Sequence, residues 1–260
     1  MRRAAAAGAV VLAAGAALLV PRSSPAPMHP GAAAAPALPP PVTPAFTPGT
    51  PRGLGSLRDV ARWAPVDHAA PARAAPAAGA PVVARLARGT PEGTRNAVVV
   101  LRTATDVRGR PWALVRLPVL PNGSTGWIRR TALGGYGIVR THFVVDLTRM
   151  EATLERAGRP VLRVPVGVGA PGWETPTGEF YVRNRLTRYR SPVYGPIAFG
   201  TSARSPHATD WPAGGFVGIH GTDQPELIPG AVSHGCIRLR NADIRALARL
   251  MPVGTPVTIR

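Results

Sequence analysis

The chain of 260 residues has no lysine and one cysteine. All 31 basic residues are arginine, against 13 acidic ones, for a net charge of +18. Lysine-free composition beside 31 prolines and 29 glycines is what GC-rich coding produces, so the charge alone assigns no partner. Aromatics make up only 5% of the chain, and no basic stretch is interleaved with them. With no nucleic-acid motif either, nucleic acid is set aside as a partner. What remains is a nonspecific attraction for anionic surfaces such as cell wall or membrane. A single cysteine excludes a disulfide within the chain. Neither C-x-x-C nor H-E-x-x-H spacing occurs, so the common zinc motifs are missing. No internal repeat is visible.

The N-terminus has the chain's one long apolar run. Two arginines precede Ala4 to Val20, and Pro21 and Arg22 follow. This is the charge and hydropathy pattern of an export signal. At 17 residues it is also at the short limit for a spanning helix. No clear A-x-A site follows at once, so residues 1–20 read as a cleaved signal or a membrane anchor. Residues 21–80 are rich in proline and alanine and poor in large apolar residues. Such a segment buries too little surface to offset its ordering entropy and reads as a disordered spacer, with at most a short helical turn over 54–63.

Residues 81–134 change character. Short β-rich runs flank the turn signal "PNGSTG" at 121–126, which predicts a small β module with Trp112 and Trp127 as packing residues. Residues 138–260 form a second β-rich region. Arg156 to Arg159 read as a hairpin turn, and "GEFYVRNRL", "GGFVGIHG" and "CIRLR" as strands. One helix is expected at 242–251, with Asn241 as its N-cap and Ile244, Leu247 and Leu250 on its apolar face. Length and pattern together predict two domains of a mainly-β, sandwich-like class with one late helix.

Three residues carry the chemistry. Cys236 follows His234 by two positions, and His220 ends a glycine-rich strand 16 positions upstream. A thiol is largely neutral at pH 7 and needs a basic neighbour to become a nucleophile. The loop 221–233 holds two prolines and turns the chain back, so adjacent strands can bring the His220 imidazole to the sulfur. Residues i and i+2 of a strand share a face, which brings His234 to the same place. Gly235 lets backbone N–H groups converge on an oxyanion. The chemistry implied is acyl transfer through a thioester. A zinc site of His220, His234 and Cys236 is the sharper rival, and a structural cysteine the bland one. His207 reads as a solvated loop residue, and His29, His68 and His142 carry no pattern.

"IHGTDQPELIPGAVSHGCIRLRN" resembles the signature of the YkuD-type L,D-transpeptidase catalytic domain. "VPVGVGAPGWETPTGEFYV", "SPVYGPIAFGTSARS" and "VPVGTPVTI" extend the likeness over residues 138–260. "WALVRLPVLPNGSTGWI" resembles a bacterial SH3-like module. The family resemblance implies an exported enzyme acting on peptidoglycan stem peptides as donor and acceptor, with no cofactor and no metal. It implies Cys236 as nucleophile and His220 as base, oriented by the Gly221 carbonyl. The Gly235 and Cys236 amides, with His234, would form the oxyanion hole, and Ser233 belongs to the same motif. Arg238 either holds a substrate carboxylate or makes a structural ion pair. Forming 3→3 cross-links, trimming stems as an L,D-carboxypeptidase, and binding the wall without catalysis are the alternatives. Acylation by carbapenem-type β-lactams is a further expectation.

Overall fold

The computed structural model describes residues 50–54, 57, 60–189, 191–207 and 215–260. The signal or anchor at 1–20, and the spacer as far as residue 49, lie outside the described residues. Among the described residues no helix is long and apolar enough to cross a membrane.

Two sheets account for the structure. The first has eight strands: β1 (Arg52–Gly53), β2 (Ala61–Pro65), β3 (Ala70–Arg73), β4 (Val82–Leu86), β5 (Ala97–Thr105), β6 (Pro111–Arg116), β7 (Thr125–Arg129) and β8 (Gly137–Val139). Their order is β4-β3-β7-β6-β5-β2-β8, with β1 added on β5. The spacer expectation is corrected here. Residues 61–65 and 70–73 are strands of this sheet, and 61–63 are strand where a helical turn was expected. Composition misleads because Ala64 and Ala72 are small yet fully buried, and the bulk around them comes from Val98, Val100 and Ile128 on neighbouring strands. The module also runs past residue 134, since β8 pairs with β2. Trp112 and Trp127 are both buried, and the Trp112 indole donates to Asp106.

The second sheet has ten strands: β9 (Thr141–Asp146), β10 (Glu151–Arg156), β11 (Arg159–Pro165), β12 (Gly167–Gly169), β13 (Gly178–Leu186), β14 (Ala198–Arg204), β15 (Phe216–His220), β16 (Gly230–Ser233), β17 (Ile237–Arg238) and β18 (Pro256–Ile259). Their order is β11-β10-β9-β18-β13-β14-β15-β17-β12-β16. The predicted hairpin joins β10 to β11, with Ala157 and Gly158 both at positive φ as a tight hairpin turn demands. Helix α1 (Asn241–Leu250), the one α-helix among the described residues, packs Ile244, Leu247 and Ala248 into the core with Phe143, Phe199 and Ile219. Ile244 and Leu247 each contribute about 1.5–3 kcal/mol when fully buried.

Asn241 does not cap this helix. Arg240 occupies that position without a side-chain bond, and the Asn241 Oδ1 instead accepts from the Thr222 N–H at 3.1 Å. The same acceptor chemistry serves either purpose, and here the loop after His220 takes it. The run "CIRLR" is strand only at Ile237–Arg238, because residues 234 and 235 form a bend before it.

The two sheets are joined at β13, at β14 and at the turn before β18. The Arg116 guanidinium donates to the Glu179 carbonyl at 2.8 Å. The Asn122 side chain, in the predicted "PNGSTG" turn, bonds both backbone groups of Arg204, at 2.8 and 3.0 Å. Trp63 of β2 lies against Gly137 and Gly254, where added side chains would collide with the indole.

Candidate active site

The site follows from strand alternation. In β15, Val217 and Ile219 face the core, so Gly218 and His220 face the opposite way. β17 runs parallel beside it, pairing Ile219 with Ile237 and His220 with Arg238. With Ile237 and Leu239 buried in the core, Cys236 and Arg238 share the face of His220. Cys236 therefore sits alongside Gly218. Its Sγ accepts the Gly218 N–H at 3.3 Å. A Cβ on Gly218 would lie 3.5 Å from the His220 Cδ2 and 3.7 Å from the Cys236 Sγ. Imidazole and thiol thus close over one glycine, which sequence reasoning did not single out.

The His220 Nδ1 bonds the Gly221 carbonyl at 2.6 Å. A carbonyl only accepts, so Nδ1 carries the proton and Nε2 is left with a free lone pair. Burial dominates the titration of His220 and pushes its pKa down to about 4; the Gly221 bond opposes this and the Arg238 charge adds to it. Burial also pushes the Cys236 thiol up, against the Gly218 N–H and the Arg238 charge, which both favour thiolate. Burial thus favours the uncharged form of both imidazole and thiol. Tyr194 packs edge-on against His220, with centroids 4.8 Å apart.

The turn carrying Cys236 is braced from both sides. The Ser233 hydroxyl donates to the Cys236 carbonyl at 2.6 Å and accepts the Gly235 N–H at 3.1 Å. This corrects one expectation: the Gly235 amide is already used and does not point to an oxyanion. Gly235 serves the backbone instead, with φ of 103°. Its carbonyl accepts from Thr175 Oγ1 at 3.0 Å, and the same oxygen takes the Gly169 N–H at 2.9 Å. Thr175, buried and missed in the sequence, links β12 to the turn that carries Cys236. Replacing it with valine should strand both groups at a cost of about 1–3 kcal/mol. The check is urea unfolding, together with the rate of Cys236 alkylation, which should fall as the turn loosens.

His234 is exposed and stacks edge-on with Trp173 at 4.9 Å, reaching the site through a bend rather than an extended strand. His220, His234 and Cys236 are not grouped as metal ligands, and no three His, Cys, Asp or Glu are so grouped among the described residues. Arg238 makes no ion pair among the described residues, and its buried Nε has no hydrogen-bond partner there. The structural ion pair considered for it is thus not found among the described residues. His207 is exposed, 3.8 Å from Glu174. His142 is buried, with Nε2 2.8 Å from Thr258 Oγ1.

Two cavities meet at the thiol. One of about 380 Å³ is lined by Glu92, Tyr194, Phe216, Gly218, His220 and Cys236, among others. A smaller one of about 200 Å³ shares Tyr194, His220 and Cys236 and adds His234 and Arg238. A half-buried thiol beside an imidazole, open on two sides, has the arrangement that exchange of one acyl partner for another requires.

The family model described as the L,D-transpeptidase catalytic domain, YkuD, matches residues 140–259. The putative L,D-transpeptidase YkuD of Bacillus subtilis is 40% identical over 119 residues, which is 45% of this chain and 65% of that protein. The probable L,D-transpeptidase ErfK/SrfK of Salmonella typhimurium is 34% identical over 143 residues, 46% of this chain and 44% of that one. The chain thus spans less than two thirds of the length of either relative. Among solved structures, the catalytic domain of an E. faecium L,D-transpeptidase acylated by ertapenem is 29% identical, with coverage of 46% and 96% and a TM-score of 0.36. Residues 140–259 of this chain thus match the YkuD-type L,D-transpeptidase catalytic domain.

Proposed function

We propose that the protein is an exported cysteine L,D-transpeptidase that forms 3→3 cross-links between peptidoglycan stems. The observation that carries this is Cys236 and His220 closing over Gly218 where two cavities meet. The larger cavity takes the donor stem. The smaller takes the terminal D-Ala, whose carboxylate meets the Arg238 guanidinium.

The thiol proton passes to His220 Nε2 as the sulfur attacks the carbonyl on the L-centre of the third stem residue. The Cys236 amide, left as the backbone donor once Ser233 holds Gly235, faces the resulting oxyanion. Collapse breaks the C–N bond, and the imidazolium returns its proton to the departing D-Ala amine. A thioester remains. The side-chain amine of a second stem then attacks, its proton goes to His220, and collapse yields the new amide and the free thiol. Because burial disfavours a thiolate at rest, proton transfer and attack are coupled and depend on a correctly seated carbonyl.

Incubation with disaccharide-tetrapeptide tests this by product mass. Cross-linked dimer supports the proposal. D-Ala release without dimer makes water the acceptor and the enzyme an L,D-carboxypeptidase, and no product leaves a wall-binding protein. The same cysteine is the expected site of carbapenem acylation. Intact mass should show one adduct on the protein and none on Cys236→Ala.

A further inference from the structure

One residue lining the larger cavity comes from the first β module. Glu92 lies in the 87–96 loop between β4 and β5, and its side chain lines the cavity that holds His220 and Cys236. Among the described lining residues it is the only carboxylate. The loop is internally fixed: Thr90 N–H donates to the Thr94 carbonyl at 2.8 Å, Gly93 N–H to the Thr90 carbonyl at 3.0 Å, and the Asn96 side chain to Ala87 at 2.9 Å.

The second sheet has a matching socket. A register shift between Val182 and Asn184 interrupts the pairing of β13 with β14. Irregularities of this kind re-aim side chains, and two successive residues, Arg183 and Asn184, both reach Glu92. Arg183 donates to Oε1 at 2.7 Å and Asn184 to Oε2 at 3.1 Å. Asn184 also reaches Thr94 Oγ1 at 3.0 Å and, through its own Oδ1, accepts the Gly200 N–H at 2.9 Å. The Arg183 side chain is 2% exposed, and its guanidinium lies 3.8 Å from the ring centroid of Phe216. Phe216 opens β15, four residues before His220, and lines the same cavity. A guanidinium this buried is costly to leave without its carboxylate partner. Glu92 thus holds Arg183, Arg183 holds Phe216, and Phe216 forms the wall along which a ligand approaches the thiol.

We propose that Glu92 is a positioning residue that sets donor specificity, and that the N-terminal β module is a working wall of the catalytic cleft rather than a separate binding attachment. The identity of the donor rests on the function proposed above. A simple inter-sheet tie would act only on stability. Glu92 differs from other ties because it lies in the cavity and is linked to its wall.

The test compares the full chain with Glu92→Gln and Asn122→Ala. Glutamine keeps the shape of Glu92 and removes its charge. Asn122 ties the same two sheets at Arg204, and it is not among the described residues lining the cavity. With disaccharide-tetrapeptide, Glu92→Gln should raise the donor KM about 5- to 10-fold with kcat within twofold, while alkylation of Cys236 by iodoacetamide, a small uncharged reagent, stays within twofold. Asn122→Ala should leave KM within twofold. An unchanged KM in folded Glu92→Gln overturns the proposal, and so does an equal rise in Asn122→Ala. If the wild-type chain binds tetrapeptide in calorimetry but does not turn it over, the proposed reaction fails alone. The cleft proposal then stands or falls on whether Glu92→Gln weakens that binding at least fivefold. No binding by the wild type overturns both, and a Glu92→Gln chain that does not fold marks Glu92 as a structural tie and overturns the cleft proposal.

Discussion

Cys236→Ala should reduce cross-linking by at least about 10⁴-fold, because removing a covalent nucleophile leaves only binding and oxyanion contacts to act. The fold should survive. Cys236 is half-buried at a cavity edge rather than in the core, and its sulfur accepts one weak bond from Gly218. Its carbonyl bond to Ser233 is made by the backbone and persists in alanine. The measurement pairs muropeptide product mass with thermal unfolding. Dimer formation by the alanine variant at more than a trace of the wild-type rate would remove Cys236 from the reaction. Loss of the folded state would show that the thiol is a packing group.

His220→Ala should lower turnover by about 10²–10⁴-fold, the usual contribution of a positioned general base. The pH profile makes the assignment sharper. His220 must be neutral to accept a proton, and burial holds its pKa near 4 instead of the ordinary 6.5. Turnover should therefore persist through pH 6 and fall only as the pH drops through about 4. An acid limb centred near 6.5 would remove His220 from this role. Stability follows the same group. The unfolded chain takes up the proton at 6.5 and the folded one resists until about 4, so between these values the unfolded state binds more protons and stability drops as the pH is lowered. Each pKa unit is worth about 1.4 kcal/mol, so acidification across this window should cost roughly 3 kcal/mol. His220→Ala should lack that loss in urea titrations at pH 6.5 and 4.

The juxtaposition of Cys236 and His220 was legible because it rests on local rules. Alternation places Gly218 and His220 on one face of β15, and a short strand after Cys236 registers beside it. Hairpin β10–β11, strand β13 and helix α1 were equally legible from turn residues and periodicity. What could not be read were choices between equivalent partners. Ser233 can bond many donors, and only the folded turn shows that it takes the Gly235 amide. Asn241 has the chemistry of a cap and is used on Thr222. Thr175, Tyr194 and Glu92 reach the site from loops distant in sequence, and no spacing announces them. The alanine-rich strands β2 and β3 escaped notice because their core is filled by other strands.

The meeting of Trp63 with Gly137 and Gly254 limits how this architecture can change over evolutionary time. The indole fills space that exists only because both positions have no side chain, and Gly254 also needs its φ of 86°. A bulkier residue at 137 or 254 is incompatible with tryptophan at 63, and a smaller residue at 63 leaves a void beside both glycines. Substitutions at the three positions should depart from additivity, as they do for residues in direct contact. The β module therefore cannot be exchanged as an independent cassette: a replacement must bring its own ring to the same slot, or change the C-terminal turn of the catalytic half at the same step.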